Sequence, residues 1–165
     1  EPMKTAKPAL YTLVLDMDET LVHFDPRRHH FKTRPHVQQF LREMSQRWEI
    51  VVFTAGLKDY ADWILNDQTQ TGTFPDDCTE TRALSGAGLS ERLEEAAQRP
   101  LEVRDCRQLA GELQFVEGNG IGIKSWFNDN NSDSEILKLQ NVLNCLLTLD
   151  DVREGIRKIK GMLSN

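Results

Sequence analysis

The chain reads as an α/β domain, a parallel β-sheet flanked by helices, and three observations predict it. Tyr11 to Leu15 (YTLVL) and Glu49 to Phe53 (EIVVF) are short runs too uniformly apolar to face water on either side, as buried parallel strands are. Each is followed by a segment of helical spacing: Val37, Phe40, Leu41 and Met44 after the first, Tyr60, Ala61 and Ile64 after the second. Strand alternating with helix in this order is the pattern of a parallel sheet covered by helices.

Taken in order, the first strand stops at Asp16 and Asp18, at the carboxyl end where open α/β sheets place ligands. The first helix is expected from about Pro35, a residue suited to a first helical turn, to Arg47. The second strand ends at Thr54-Ala55-Gly56, and the second helix is expected over Leu57 to Asn66. From Gln68 to Gly88 the chain is rich in Thr, Asp, Gly and Ser, which marks a long loop or an insertion, and 68–100 as a whole is set apart as that region. Leu89 to Gln98 has the look of a short exposed helix. Leu101 to Val103, Leu113 to Val116 and Gly120 to Ile123 are strand candidates, and Ser134 to Leu147 and Asp150 to Leu163 carry apolar residues at helical spacing. Ser132 and Asp133 are good residues to open the first of these last two helices.

With 165 residues and 39% hydrophobic content, one domain over 1–165 is the default, large enough to bury a core without a structural metal or disulfides. The net charge of −6, a pI near 5.2 and the absence of a like-charge block predict no nucleic-acid partner and no membrane contact within the domain. A basic or phosphorylated partner is easier to accommodate. Cys78, Cys106 and Cys145 form no CxxC and leave an odd count, which fits a reducing, intracellular setting: nuclear or cytoplasmic first, mitochondrial second. Apolar runs fall far below the roughly 18 residues of a spanning helix.

The chemistry concentrates in Asp16-Met17-Asp18-Glu19-Thr20. Two carboxylates two residues apart point to the same side of a continuing strand and can share one ion. One carboxylate can attack phosphorus to form an aspartyl phosphate while the other protonates the departing oxygen and then activates water. Magnesium, a hard ion that takes oxygen ligands, suits two such groups plus phosphate and water. By spacing alone the pair also fits solvated turn residues at even odds, and Thr54 fits a simple helix cap. His29-His30, after Pro26-Arg27-Arg28, lacks the further ligands of a zinc or nickel site. Asp129, Asp133 and Glu135 lack the EF-hand order and read as turn and helix-start residues. Trp48, Trp63 and Trp126 read as packing, with an exposed one able to line a peptide groove.

Context sharpens the acid pair. LDMDETLVH after an apolar strand, Arg34-Pro35 before a helix, WEIVVFTAG, LKDYADWIL, NGIGIKSWFNDNNSDSEILKL and LDDVR together resemble, in order, the small C-terminal-domain phosphatase branch of the haloacid dehalogenase superfamily. That branch includes the Dullard-like phosphatases and the nuclear-LIM-interactor factor group. The resemblance implies a Rossmann-like sheet of the haloacid dehalogenase type, with a small insertion between the second and third motifs. It implies a magnesium-dependent phosphatase acting on phosphoserine or phosphothreonine in a protein or peptide. Asp16 would be the phosphoryl acceptor and a metal ligand; Asp18 the general acid and base, lending its backbone carbonyl to the metal; Thr20 would hold the loop; Thr54 would bind a phosphoryl oxygen.

Two positions depart from the pattern. The expected Lys is replaced in the best-matching segment by Arg104, whose planar fork engages phosphate differently. No D-N-S string follows a later strand to complete the metal site. In one register Leu113 to Gly118 is that strand and Glu117 the substitute metal ligand; in the other, the better match, Phe115 to Ile123 is the segment that follows, with a deletion between Leu113 and Gln114. The alternative expectation is therefore a catalytically impaired module that keeps the phosphatase fold for protein interaction.

Overall fold

The computed structural model describes residues 11–54, 56–74, 101–105, 120–149 and 152–163. The first strand is β1 (Tyr11–Asp16), followed by a hairpin of β2 (Val22–Asp25) and β3 (His30–Thr33). Helix α1 (Val37–Met44), β4 (Trp48–Phe53) and α2 (Lys58–Gln70) come next. Then come β5 (Leu101–Asp105), β6 (Gly120–Ile123), α3 (Glu135–Leu146) and α4 (Val152–Leu163).

The main sheet has the order β4-β1-β5-β6, and every pairing in it is parallel. Leu13 lies opposite Ile50, Asp16 opposite Phe53, and Leu15 opposite Val103, so β4 and β1 end level and β5 runs one residue further. Period two then sorts the strand residues by face. Leu13, Leu15, Ile50 and Val52 join the main core with Phe40, Leu41 and Met44 of α1, Ala61, Ile64 and Leu65 of α2, and Ile136, Leu139 and Leu143 of α3. Val14, Val51 and Phe53 form a separate small buried cluster on the other face. Each fully buried Leu or Ile contributes about 1.5–3 kcal/mol relative to exposure. The stripe Val37, Phe40, Leu41, Met44 on α1 is buried throughout, as its spacing predicts.

Several elements differ from the sequence expectation, and α1 ends at Met44 rather than Arg47. Helix α1 begins at Val37 rather than Pro35, because His36 adopts a left-handed backbone (φ 69°) that separates Pro35 from the helix. Helix α2 runs on to Gln70, past the Gln68 at which a loop was expected. The reason is that Gln68 is buried: its amide oxygen accepts from Thr33 Oγ1 at 2.8 Å, and its carbonyl accepts from Thr73 and Phe74 N–H. The β2–β3 hairpin was not expected at all. Its antiparallel register opposes Phe24 to Phe31, and Asp25 Oδ1 accepts from Arg27 N–H at 2.9 Å to shape the turn. Strand β5 continues two residues beyond Val103, to Asp105. The helix expected over Leu89 to Gln98, the strand over Leu113 to Val116, and Glu117 lie outside the described residues. No helix among the described residues is long and apolar enough to cross a membrane.

Candidate functional site

The site sits at the carboxyl end of β1. Asp16, the last strand residue, is 1% exposed. The chain does not continue as a strand to carry Asp18 along the same side. Met17 N–H still reaches Phe53 O at 2.8 Å, but Leu21 and Val22 N–H both return to Met17 O, and Glu19 takes a left-handed conformation at φ 60°. This tight turn folds Thr20 back toward Asp16, and its hydroxyl donates to Asp16 Oδ2 at 3.2 Å.

Asp18 faces β4 and α2 instead. Thr54 Oγ1 donates to Asp18 Oδ2 at 2.7 Å, and Tyr60 OH donates to Asp18 Oδ1 at 2.7 Å. Thr54 is fully buried and also accepts from Gly56 N–H at 2.9 Å, so its hydroxyl is oriented from both sides. A side chain at position 56 would collide: a Cβ there would stand 2.9 Å from Tyr60 Cδ1 and 3.1 Å from Thr54 Oγ1. Burial, then the hydrogen bond and charge of Asp18, raise the Tyr60 phenol well above its ordinary pKa. At neutral pH it remains a proton donor to Asp18.

A second layer holds the acid loop. Arg34, 1% exposed, donates from Nε to Asp133 Oδ1 at 2.7 Å and from Nη2 to Asp133 Oδ2 at 3.0 Å. The same guanidinium reaches Thr20 O at 3.2 Å and Lys124 O at 2.8 Å. Trp126 N–H donates to Glu19 O at 2.9 Å, and Glu19 carboxylate meets His23 Nδ1 at 2.9 Å. The SWF segment is thus bonded through main chain to the DMDET turn.

An aromatic wall continues outward from Tyr60. Phe24 meets Tyr60 edge-on at 5.4 Å between ring centroids and Trp63 at 6.0 Å, and Phe31 meets Trp63 at 5.2 Å. Trp63 is 43% exposed, whereas Trp48 and Trp126 are buried.

The structure therefore brings together Asp16, Asp18, Thr20 and Thr54. Glu117 lies outside the described residues. Arg104 follows the Val103 that pairs with Leu15, so its backbone reaches the level of Asp16, and Asp105 ends the same strand. Tyr60, Arg34 and Asp133 were missed as site residues; Asp133, read as a turn and helix-start residue, does accept from Glu135 N–H but chiefly anchors Arg34. Among the described residues no group of three or more His, Cys, Asp or Glu is arranged to hold a metal. The oxygen donors of Asp16 and Asp18 are of the hard type that magnesium takes.

Residues 11–86 match the family model of NLI interacting factor-like phosphatases. The chain is 31% identical over 181 residues to CTD small phosphatase-like protein 3 of Caenorhabditis elegans, covering 94% of this chain and 61% of that protein. It is 35% identical over 176 residues to a probable C-terminal domain small phosphatase of Dictyostelium discoideum, covering 92% and 56%. It is 31% identical over 169 residues to the human carboxy-terminal domain RNA polymerase II polypeptide A small phosphatase 1, covering 88% and 63%. The chain belongs to the small C-terminal-domain phosphatase branch of the haloacid dehalogenase superfamily.

Among solved structures, it resembles an essential RNA polymerase II CTD phosphatase with a TM-score of 0.51 at 20% identity, over 94% of this chain and 54% of that one. The fission yeast RNA polymerase II CTD phosphatase bound to beryllium fluoride gives 0.51 at 18%, over 93% and 55%. At these identities the likeness is one of fold, and it is the haloacid dehalogenase fold. The chain spans about three fifths of the length of the curated relatives it matches. The match to the worm protein runs over 181 positions, more than the 165 residues of the chain, so that relative carries residues within the matched stretch that this domain lacks.

Proposed function

We propose that this domain is a magnesium-dependent protein phosphatase that removes phosphate from phosphoserine or phosphothreonine through an aspartyl phosphate on Asp16. The observation that carries the reading is the contrast in surroundings between two neighbouring acids: Asp16 buried at the strand end beside Thr20, and Asp18 held by Thr54 and Tyr60. Environments this different suit one carboxylate to attack and the other to move protons.

In the first step an Asp16 carboxylate oxygen forms a bond to phosphorus while the phosphorus–oxygen bond to the serine or threonine breaks. Asp18 gives its proton to the departing oxygen. In the second step Asp18 takes a proton from water, which attacks phosphorus and releases Asp16 and inorganic phosphate. Thr20 fixes the Asp16 carboxylate for in-line approach. Thr54, whose hydroxyl rests on Asp18, exchanges that acceptor for a phosphoryl oxygen when substrate enters, which frees one Asp18 oxygen for the leaving group. Asp16, the Asp18 main-chain carbonyl and Glu117 would hold the magnesium. Bound there, the metal supplies neutralising charge between nucleophile and phosphate. Arg104 is assigned the remaining positive charge.

Release of inorganic phosphate from a phosphoserine peptide, measured with and without magnesium and with Asp18→Asn, tests the reading. Magnesium-dependent release that falls by a factor of about 10²–10⁴ in Asp18→Asn, the range of general acid and base catalysis, is expected. Release unaffected by metal or by Asp18→Asn overturns it.

A further inference from the structure

The hairpin tip is unlike the rest of the chain. Pro26 to Lys32 carries three permanent cations, Arg27, Arg28 and Lys32, and no acid, in a chain of net charge −6. Arg27, Arg28, His29, His30 and Lys32 are all exposed. His29 lies edge-on to Phe24 and His30 stacks on Phe31, while Arg27, Arg28 and Lys32 extend into solvent. Asp25, the nearest acid, is engaged in shaping the turn through Arg27 N–H, and its other oxygen stands 3.7 Å from Arg28 Nε, a loose contact on a side chain 84% exposed.

The tip is mounted on the site rather than free to wander. Its root, Phe24 opposite Phe31, packs against Tyr60 and Trp63 of α2, and Tyr60 is hydrogen bonded to Asp18. A ligand that presents a phosphate to Asp16 and Asp18 and lies along this wall arrives at the cationic tip. Extended peptide covers about 3.3 Å per residue, so the tip meets side chains a few residues from the phosphorylated one.

We infer that the hairpin tip, through Arg27 and Arg28, selects phosphopeptides that carry a second anionic group, a carboxylate or another phosphate, a few residues from the phosphate to be removed. The inference rests on the proposed phosphatase reading. Guanidinium forks suit both carboxylate and phosphate. Because the contact is exposed, it acts on capture of the peptide and weakens with salt.

The test uses phosphoserine peptides of one length in which Glu, a second phosphoserine or Ala stands at two, three, four or five residues on either side. Hydrolysis and binding of fluorescein-labelled peptide are measured for the full chain and for Arg27→Glu/Arg28→Glu and Arg27→Gln/Arg28→Gln. The expected result is a KM about threefold to tenfold lower for the anionic peptides at one spacing, the scale of a few exposed charge contacts. That preference is lost in the Gln pair, inverted in the Glu pair and diminished by added salt, while kcat and the turnover of a small aryl phosphate stay unchanged. Equal KM for anionic and neutral peptides, or a preference that survives in both variants, overturns the inference and leaves the phosphatase reading standing. If no peptide is hydrolysed, the phosphatase reading fails, and labelled-peptide binding still decides the preference. Co-sedimentation with phosphatidylserine vesicles through the same arginines, without peptide discrimination, also overturns it.

Discussion

Arg34 and Asp133, 99 residues apart in sequence, form a buried two-point ion pair that fastens the acid loop to the start of α3. The guanidinium spends its remaining donors on Thr20 O and Lys124 O, so one side chain ties three separate segments. Removing one member leaves the other charge buried without its counterion, which costs about 3–5 kcal/mol. Arg34→Met is therefore expected to lower unfolding free energy by that amount in urea titration. Arg34→Lys restores charge but not the fork, and falls between the two.

Burial alone would raise the pKa of Asp133, but the hydrogen bond and charge of Arg34, helped by Glu135 N–H and Lys124, more than offset it and hold the carboxyl below its ordinary value. A depressed carboxyl adds stability that is fully present above its unfolded value, about 3.9, and is lost as pH falls through the lower folded value. Acid unfolding of the wild type below about pH 4 is therefore expected to include a contribution that Asp133→Asn lacks. Unfolding free energies of the two proteins, compared between neutral and acid pH, are expected to converge at the acid end.

Tyr60→Phe removes the phenol that donates to Asp18 Oδ1 and leaves the ring against Phe24. Stability is expected to change by about 0.5–1.5 kcal/mol, the net value of one hydrogen bond. Activity is expected to change more, through kcat rather than KM, because Asp18 loses its orientation. Steady-state kinetics with a phosphopeptide checks this, and equal loss in KM alone contradicts it.

Gly56→Ala drives a methyl into Tyr60 Cδ1 and Thr54 Oγ1. Relief by rotation of Tyr60 breaks the bond to Asp18, so the variant is expected to repeat the kinetic loss of Tyr60→Phe, with little further loss when the two substitutions are combined. Independent, additive losses in the double variant contradict the shared cause.

How much of this was legible in the sequence varies with the physics involved. β1 and β4 were readable because strands buried on both faces become short apolar runs, as around Leu13 and Ile50, and α1 and α3 because burial imposes a period of 3.6 on residues such as Phe40 and Leu139. The hairpin was not, since His23, Lys32 and Arg28 made a short, half-exposed pair of strands look like a polar connection. Asp16, Asp18, Thr20 and Thr54 were legible from the motif and the resemblance it carries. The donors that orient Asp18 and the acid loop were not, because Tyr60 is 42 residues from Asp18 and Asp133 is 99 from Arg34, separations that no local pattern encodes.

The central claim is that Asp16 carries the phosphoryl group. Its most direct test is an acid quench during turnover of a phosphoserine peptide with magnesium, followed by peptide mapping by mass spectrometry. The account predicts one phosphoryl group on the peptide that contains Asp16, transient in the wild type, longer lived in Asp18→Asn and absent in Asp16→Asn. Sustained turnover in Asp16→Asn, or a phosphoryl group on any other residue, contradicts it.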